Sequence, residues 1–165
     1  MRKSDLFKLI QDFKALSGEE APIIVGSQAL HAVTDTLPEV ARRSVECDFL
    51  LSSGNFHMRA TIDEEMGVLS NYQVVNGFFA DTLGLATVVL PDGWDKRLQP
   101  FVDDENVLIA LCLDPYDLAV SKLIAGRDKD IEFIEALLAS ELLSIDKLLE
   151  QVKLVESMPL VAAQL

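Results

Sequence analysis

Ser44-Val45-Glu46-Cys47-Asp48-Phe49-Leu50-Leu51 reads as a β-strand with two unlike faces. Side chains alternate across a strand with period two. Val45, Cys47, Phe49 and Leu51 therefore share one face, and it is wholly apolar. Ser44, Glu46 and Asp48 share the other. Upstream, Pro22-Ile23-Ile24-Val25 is a short apolar strand stopped by Gly26, and Ser27 opens a short helix carrying Ala29, Leu30 and Val33. Two neighbouring strands, one ending in Gly-Ser and one carrying paired acids, point to an α/β chain with a site at the sheet.

Outward from there, Asp5 to Leu16 has Leu6, Ile10 and Phe13 near one helical face, and Gly18 ends it. Thr34 to Arg43 reads as a loop, and Asn55 to Met66 as a helix closed by Gly67. Tyr72 to Val75, Gly77 to Ala80 and Leu85 to Leu90 are strand-like. Pro91-Asp92-Gly93 has turn chemistry. Lys96 to Val102 and Val107 to Leu113 are further strands, parted by the polar turn Asp103-Asp104-Glu105-Asn106. At Asp114-Pro115-Tyr116-Asp117 the pattern changes to helix, with a capping acid and Pro in the first turn. That helix runs to Ala125 and Gly126. A second spans Asp128 to Ser140, with Ile131, Ile134, Leu137 and Leu138 on one face. A third spans Ile145 to Val155. The expected architecture is α/β (α+β): a mixed sheet of about four or five strands in residues 1–113, then a helical part in 114–165, packed as one compact unit.

Composition bounds the function. The chain has 165 residues, 50% apolar and 25% charged, enough for one substantial core. Its 14 Lys and Arg against 27 Asp and Glu leave a net charge of −13, which opposes nucleic-acid binding through the overall field. Mean hydropathy is +0.25, yet no apolar run reaches the roughly 18 residues a membrane span needs. Met1-Arg2-Lys3-Ser4-Asp5 lacks the apolar core of a secretion signal. Cys47 and Cys112 form neither a disulfide framework nor a zinc spacing. A soluble cytoplasmic protein is expected.

Two features bear on chemistry. Gly26-Ser27 at a strand-to-helix junction suits a phosphate, because glycine admits close approach and the helix start offers free amides. An ordinary turn with Ser27 as N-cap has the same sequence. Glu46 and Asp48, projecting together, repel unless a cation such as Mg2+ neutralises them, and an exposed strand face carries acids equally well.

Four segments carry a resemblance. They are Val25-Gly26-Ser27-Gln28-Ala29-Leu30, Ser44-Val45-Glu46-Cys47-Asp48, Leu90 to Leu98, and Asp117 to Asp130 with Lys122, Arg127 and Lys129. In that order, between about Val25 and Leu138, the chain resembles a largely uncharacterised bacterial family of nucleotidyltransferase-fold proteins related to AbiEii-type toxins. The resemblance implies transfer of a nucleoside monophosphate from a nucleoside triphosphate to an acceptor. The acceptor would be tRNA, a protein hydroxyl or a small molecule. Gly26 and Ser27 would contact the terminal phosphates, Glu46 and Asp48 would ligate Mg2+ or Mn2+, and Lys122 would reach the triphosphate. Arg127 and Lys129 would line the cleft, and Asp130 would line it too or pair with a nearby base. A toxin role would bring an antitoxin partner. Glu46 stands where the wider superfamily often has Asp. Asp81 is the best candidate for a third carboxylate, and a turn Asp before Gly84 is its plainer reading; Asp92 and Asp95 sit worse. Without a third carboxylate, the chain would be a binding or regulatory module.

The remaining residues read as structural. His31 and His57 lack ligand spacing, and Cys47 and Cys112 suit the core. Trp94 packs its turn, leaving Arg97 as the functional candidate there. Arg42-Arg43 and Lys96-Arg97 are the other basic clusters. The apolar tail Met158 to Leu165 suits docking on the body or on a second subunit.

Overall fold

The computed structural model describes residues 1–155. Five strands, β1 (Ile23–Ile24), β2 (Glu46–Leu50), β3 (Phe79–Leu83), β4 (Gln99–Val102) and β5 (Leu108–Cys112), form one sheet in the order β3-β2-β1-β5-β4. It is mixed. β1 runs antiparallel to β2 and parallel to β5, β2 is parallel to β3, and β4 is antiparallel to β5. Helices α1 (Lys3–Ser17), α2 (Glu39–Arg42), α3 (Arg59–Met66) and α4 (Asn71–Asn76) flank it. Helices α5 (Pro115–Ala125), α6 (Asp128–Ala139) and α7 (Ile145–Val152) follow β5, with α5 packed on both α6 and α7.

The two-faced strand is realised in β2. Cys47 and Phe49 are fully buried, whereas Glu46 and Asp48 remain half-buried on the opposite face. Phe49 stacks on Phe13 of α1, ring centroids 3.8 Å apart, so α1 covers the apolar side of the sheet. Val45, expected on that face, lies before the strand and is exposed. Cys47→Ala is expected to lower stability by about 1 kcal/mol through lost packing, with nucleotide binding unchanged. A chemical-denaturation midpoint beside a binding titration checks it.

α5 begins as its sequence dictates: Asp114 caps it by accepting from the Tyr116 amide at 2.9 Å, Pro115 occupies the first turn, and Gly126 closes it in the left-handed region at φ 64°. The 103–106 turn is also as expected, with the Asp103 carboxylate accepting from the amides of Glu105 and Val107 at 3.0 and 2.8 Å. Gly93 takes φ 74° in the turn after Pro91-Asp92.

Four expectations are corrected. Tyr72 to Val75 is helical, within α4, because the Ser70 hydroxyl caps the first turn and Gly77 at φ 78° closes it. Leu85 to Leu90 pairs with no strand; it starts as a 3-10 turn at Leu85–Thr87. The loop 34–43 contains α2, started by Pro38. On α6 the inward face is Asp130, Phe133, Ile134 and Leu137, and Ile131 is exposed. Met158 to Leu165 lies outside the described residues. Among the described residues no helix is long and apolar enough to cross a membrane.

Candidate functional site

The acidic face of β2 opens into a cavity of about 500 Å3. Its sheet side carries Gly26, Glu46, Asp48 and Asp81, and its helix side Ser121, Lys122, Arg127 and Lys129. Leu83, Val88, Val89 and Ile124 add an apolar part. The cleft therefore lies between the Glu46–Asp48 strand and the Lys122 helix.

Asp81 is on a strand, not in a turn. In the parallel β2–β3 ladder Asp48 pairs with Asp81. Ala80 and Thr82 are buried, so Asp81 faces the cavity with Leu83. Its Oδ1 accepts from the Thr82 amide at 2.9 Å. Glu46, Asp48 and Asp81 thus line one cavity from two adjacent strands.

The electrostatics follow from that gathering. Burial, then the charges of Glu46 and Asp81, raise the Asp48 carboxyl to about 6, opposed by Lys122 and Lys129. Across the cavity, the fully buried Asp130 carboxylate gathers the cations. It accepts from Lys122 Nζ at 3.1 Å, Arg127 Nε at 2.6 Å and the Arg127 terminal nitrogen at 3.2 Å. Lys122 Nζ also lies 4.6 Å from the Phe133 ring centroid. Asp130 accordingly pairs with bases and does not line the cavity. The result is acids on the sheet side and cations on the helix side, the polarity needed for a metal-bound polyphosphate.

Gly26 is required by packing against Asp48. A Cβ at Gly26 would stand 1.6 Å from Asp48 Oδ2 and 2.6 Å from its Cγ. Its neighbour Ser27 departs from expectation. The cap of the following turn is Gly26, and Ser27 is the first residue of a 3-10 turn, Ser27–Ala32, with no side-chain cap bond. Its Oγ accepts from Gln28 Nε2 at 3.4 Å, and it does not line the cavity. Arg97 is also removed from the site. Its guanidinium makes two 2.9 Å bonds to the buried Asp117 carboxylate, which locks the 91–97 turn to α5. Arg43 pairs with Glu39, and His57 Nδ1 sits 2.9 Å from the Gly54 carbonyl oxygen.

Ser121 and Thr87 line the cavity and were not singled out in the sequence. Ser121 had a signal: Leu118, Ser121, Lys122 and Ala125 share one helix face at i, i+3, i+4 and i+7. Thr87 had none, since its segment reads as a strand.

An all-oxygen donor set with unneutralised carboxylates suits a hard divalent cation. Glu46 and Asp48 fit as its ligands. Among the described residues, however, no group of three His, Cys, Asp or Glu is close enough to hold one ion.

Comparison with known proteins agrees with the geometry. Over residues 4–159 the chain matches the model of a family described as a nucleotidyltransferase of unknown function (DUF6036), and it belongs to that family. No curated protein and no solved structure matches it.

Proposed function

We propose that the protein transfers a nucleoside monophosphate from a nucleoside triphosphate to an acceptor hydroxyl, with pyrophosphate leaving. The observation that carries this reading is the cavity itself, in which Glu46, Asp48 and Asp81 face Lys122, Arg127 and Lys129. The terminal phosphates pair with the three cations, and Gly26 admits the chain close to the carboxylates. Glu46 and Asp48 would hold Mg2+ or Mn2+, which would supply charge neutralisation when bound. Asp81 takes the proton from the acceptor hydroxyl as its oxygen bonds the α-phosphorus and the bond to pyrophosphate breaks.

The acceptor is tRNA, a protein or a small molecule. A toxin role, with a basic antitoxin attracted by the charge of −13, rests on the AbiEii-type resemblance. A second reading is nucleotide binding without transfer, as in a regulatory module. It is favoured by the lack, among the described residues, of a three-residue metal cluster.

The test is transfer of label from α-labelled nucleoside triphosphates to RNA, protein and small-molecule fractions, with pyrophosphate measured. The account expects labelled product with wild type and none with Asp48→Ala. Asp81→Asn keeps nucleotide affinity and loses transfer. Binding without product or pyrophosphate from any fraction would favour the regulatory reading.

A further inference from the structure

A second cavity, of about 520 Å3, opens between the start of α1, the 3-10 turn Ser27–Ala32 and α2. His31 lines it and is 6% exposed. The Met1 carbonyl oxygen lies 3.4 Å from His31 Nε2. A carbonyl only accepts, so Nε2 carries the proton and Nδ1 presents a lone pair. Nδ1 is buried and has no hydrogen-bond partner. Natural folds seldom leave such an atom unpaired.

The charged groups around it are almost all matched. Arg2 pairs with Asp5 at 2.9 Å, Lys3 with Asp35 at 2.8 Å and Arg43 with Glu39 at 2.5 Å. Arg42 lines the same cavity and has no acidic partner among the described residues. The Met1 ammonium, which also lines the cavity, donates to the carbonyl oxygens of Arg42 and Ser44, which leaves the Arg42 guanidinium, a donor, and one buried imidazole nitrogen, an acceptor.

We propose that this cavity binds a singly protonated phosphate, free or as a phosphate monoester. Its O–H donates to His31 Nδ1, and its anionic oxygens accept from Arg42. The chemistry selects the ligand. A carboxylate or a sulfate near neutral pH has anionic oxygens for Arg42 and no O–H for Nδ1. A phosphate near neutral pH has both, the second pKa of a monoester being about 6 and that of inorganic phosphate about a unit higher. The neutral imidazole is favoured by burial, and then by the Met1 ammonium and Lys3; the Met1 carbonyl and Asp35 oppose this. His31 lies within the turn that Gly26 caps, and its cavity shares no lining residue with the carboxylate cavity.

The test is titration of the full chain with inorganic phosphate at about pH 6.5, following heat and the imidazole nitrogen signals. The chain has two histidines, and His57→Gln assigns the signals. The Nδ1 signal of His31 is expected to shift, with sulfate binding roughly tenfold more weakly. Arg42→Ala, a change on an exposed helix end, weakens phosphate binding by about tenfold or more. Affinity falls towards about pH 8 as the phosphate loses its O–H. A His31 signal that stays put at saturating phosphate overturns the proposal, as does sulfate binding as tightly as phosphate. Binding that survives Arg42→Ala and disappears in Lys122→Ala also overturns it, by placing the anion in the first cavity. For a monoester as the source, methyl phosphate gives the same shift and the same dependence on Arg42; for free phosphate as the source, methyl phosphate binds more weakly than inorganic phosphate.

Discussion

Asp48→Asn is expected to make the metal-free protein more stable at pH 7 while removing its metal-dependent nucleotide binding. The Asp48 carboxyl is raised from 3.8 to about 6, first by burial and then by Glu46 and Asp81. A group whose folded value lies above its unfolded value favours folding while protonated. That contribution is complete below the unfolded value of 3.8 and is lost as pH rises through about 6. At pH 7 the ionised carboxylate therefore costs the metal-free fold on the order of 2–3 kcal/mol. Asn has the same shape and no charge to bury. For a chain of this size, the melting temperature should rise by roughly 4–12 °C in chelating buffer at pH 7, and by little near pH 4. A residue retained at a cost to stability marks a functional site. Equal melting temperatures at pH 7 for both proteins would show that Asp48 is not the strained carboxylate described.

Arg97→Met should be among the most destabilising of single changes, with no effect on nucleotide affinity. Asp117 is 0% exposed and takes both Arg97 bonds, with Gln151 of α7 as a further partner. Removing the guanidinium leaves a buried carboxylate with its charge uncompensated, which costs about 3–5 kcal/mol. The melting temperature should fall by roughly 6–20 °C. Glu39→Ala breaks the exposed pair with Arg43 and should cost under about 1 kcal/mol. The pairs differ in burial, not in charge, so the contrast isolates desolvation. Undiminished stability with lost nucleotide binding would return Arg97 to the functional role its sequence suggested.

What was legible depended on whether the signal was local. β2 could be read because one face is wholly apolar and the other polar, a contrast only a half-buried strand explains. α5 could be read from Asp114-Pro115, whose cap geometry forms within one turn. α4 could not, because Tyr72, Val74 and Val75 favour strands, and the Ser70 cap and Gly77 end decide the matter. Asp81 was legible as a carboxylate and not as a strand residue. Its place opposite Asp48 depends on the parallel β2–β3 register, which the intervening helices α3 and α4 set over a long loop of chain. The Arg97–Asp117 pair was not legible for a similar reason: Asp117 is far along the chain, and nothing local announces it.

The most direct measurement is a set of thermal melts with Mg2+ or Mn2+ and each of the four nucleoside triphosphates. It compares wild type with the Glu46→Ala/Asp48→Ala variant. A ligand at about 100 times its dissociation constant stabilises the fold by about 2.7 kcal/mol, a shift of roughly 5–11 °C here. The account predicts a metal-dependent shift with at least one triphosphate in wild type and none in the double variant. No shift with any triphosphate, or an equal shift in both proteins, would contradict it.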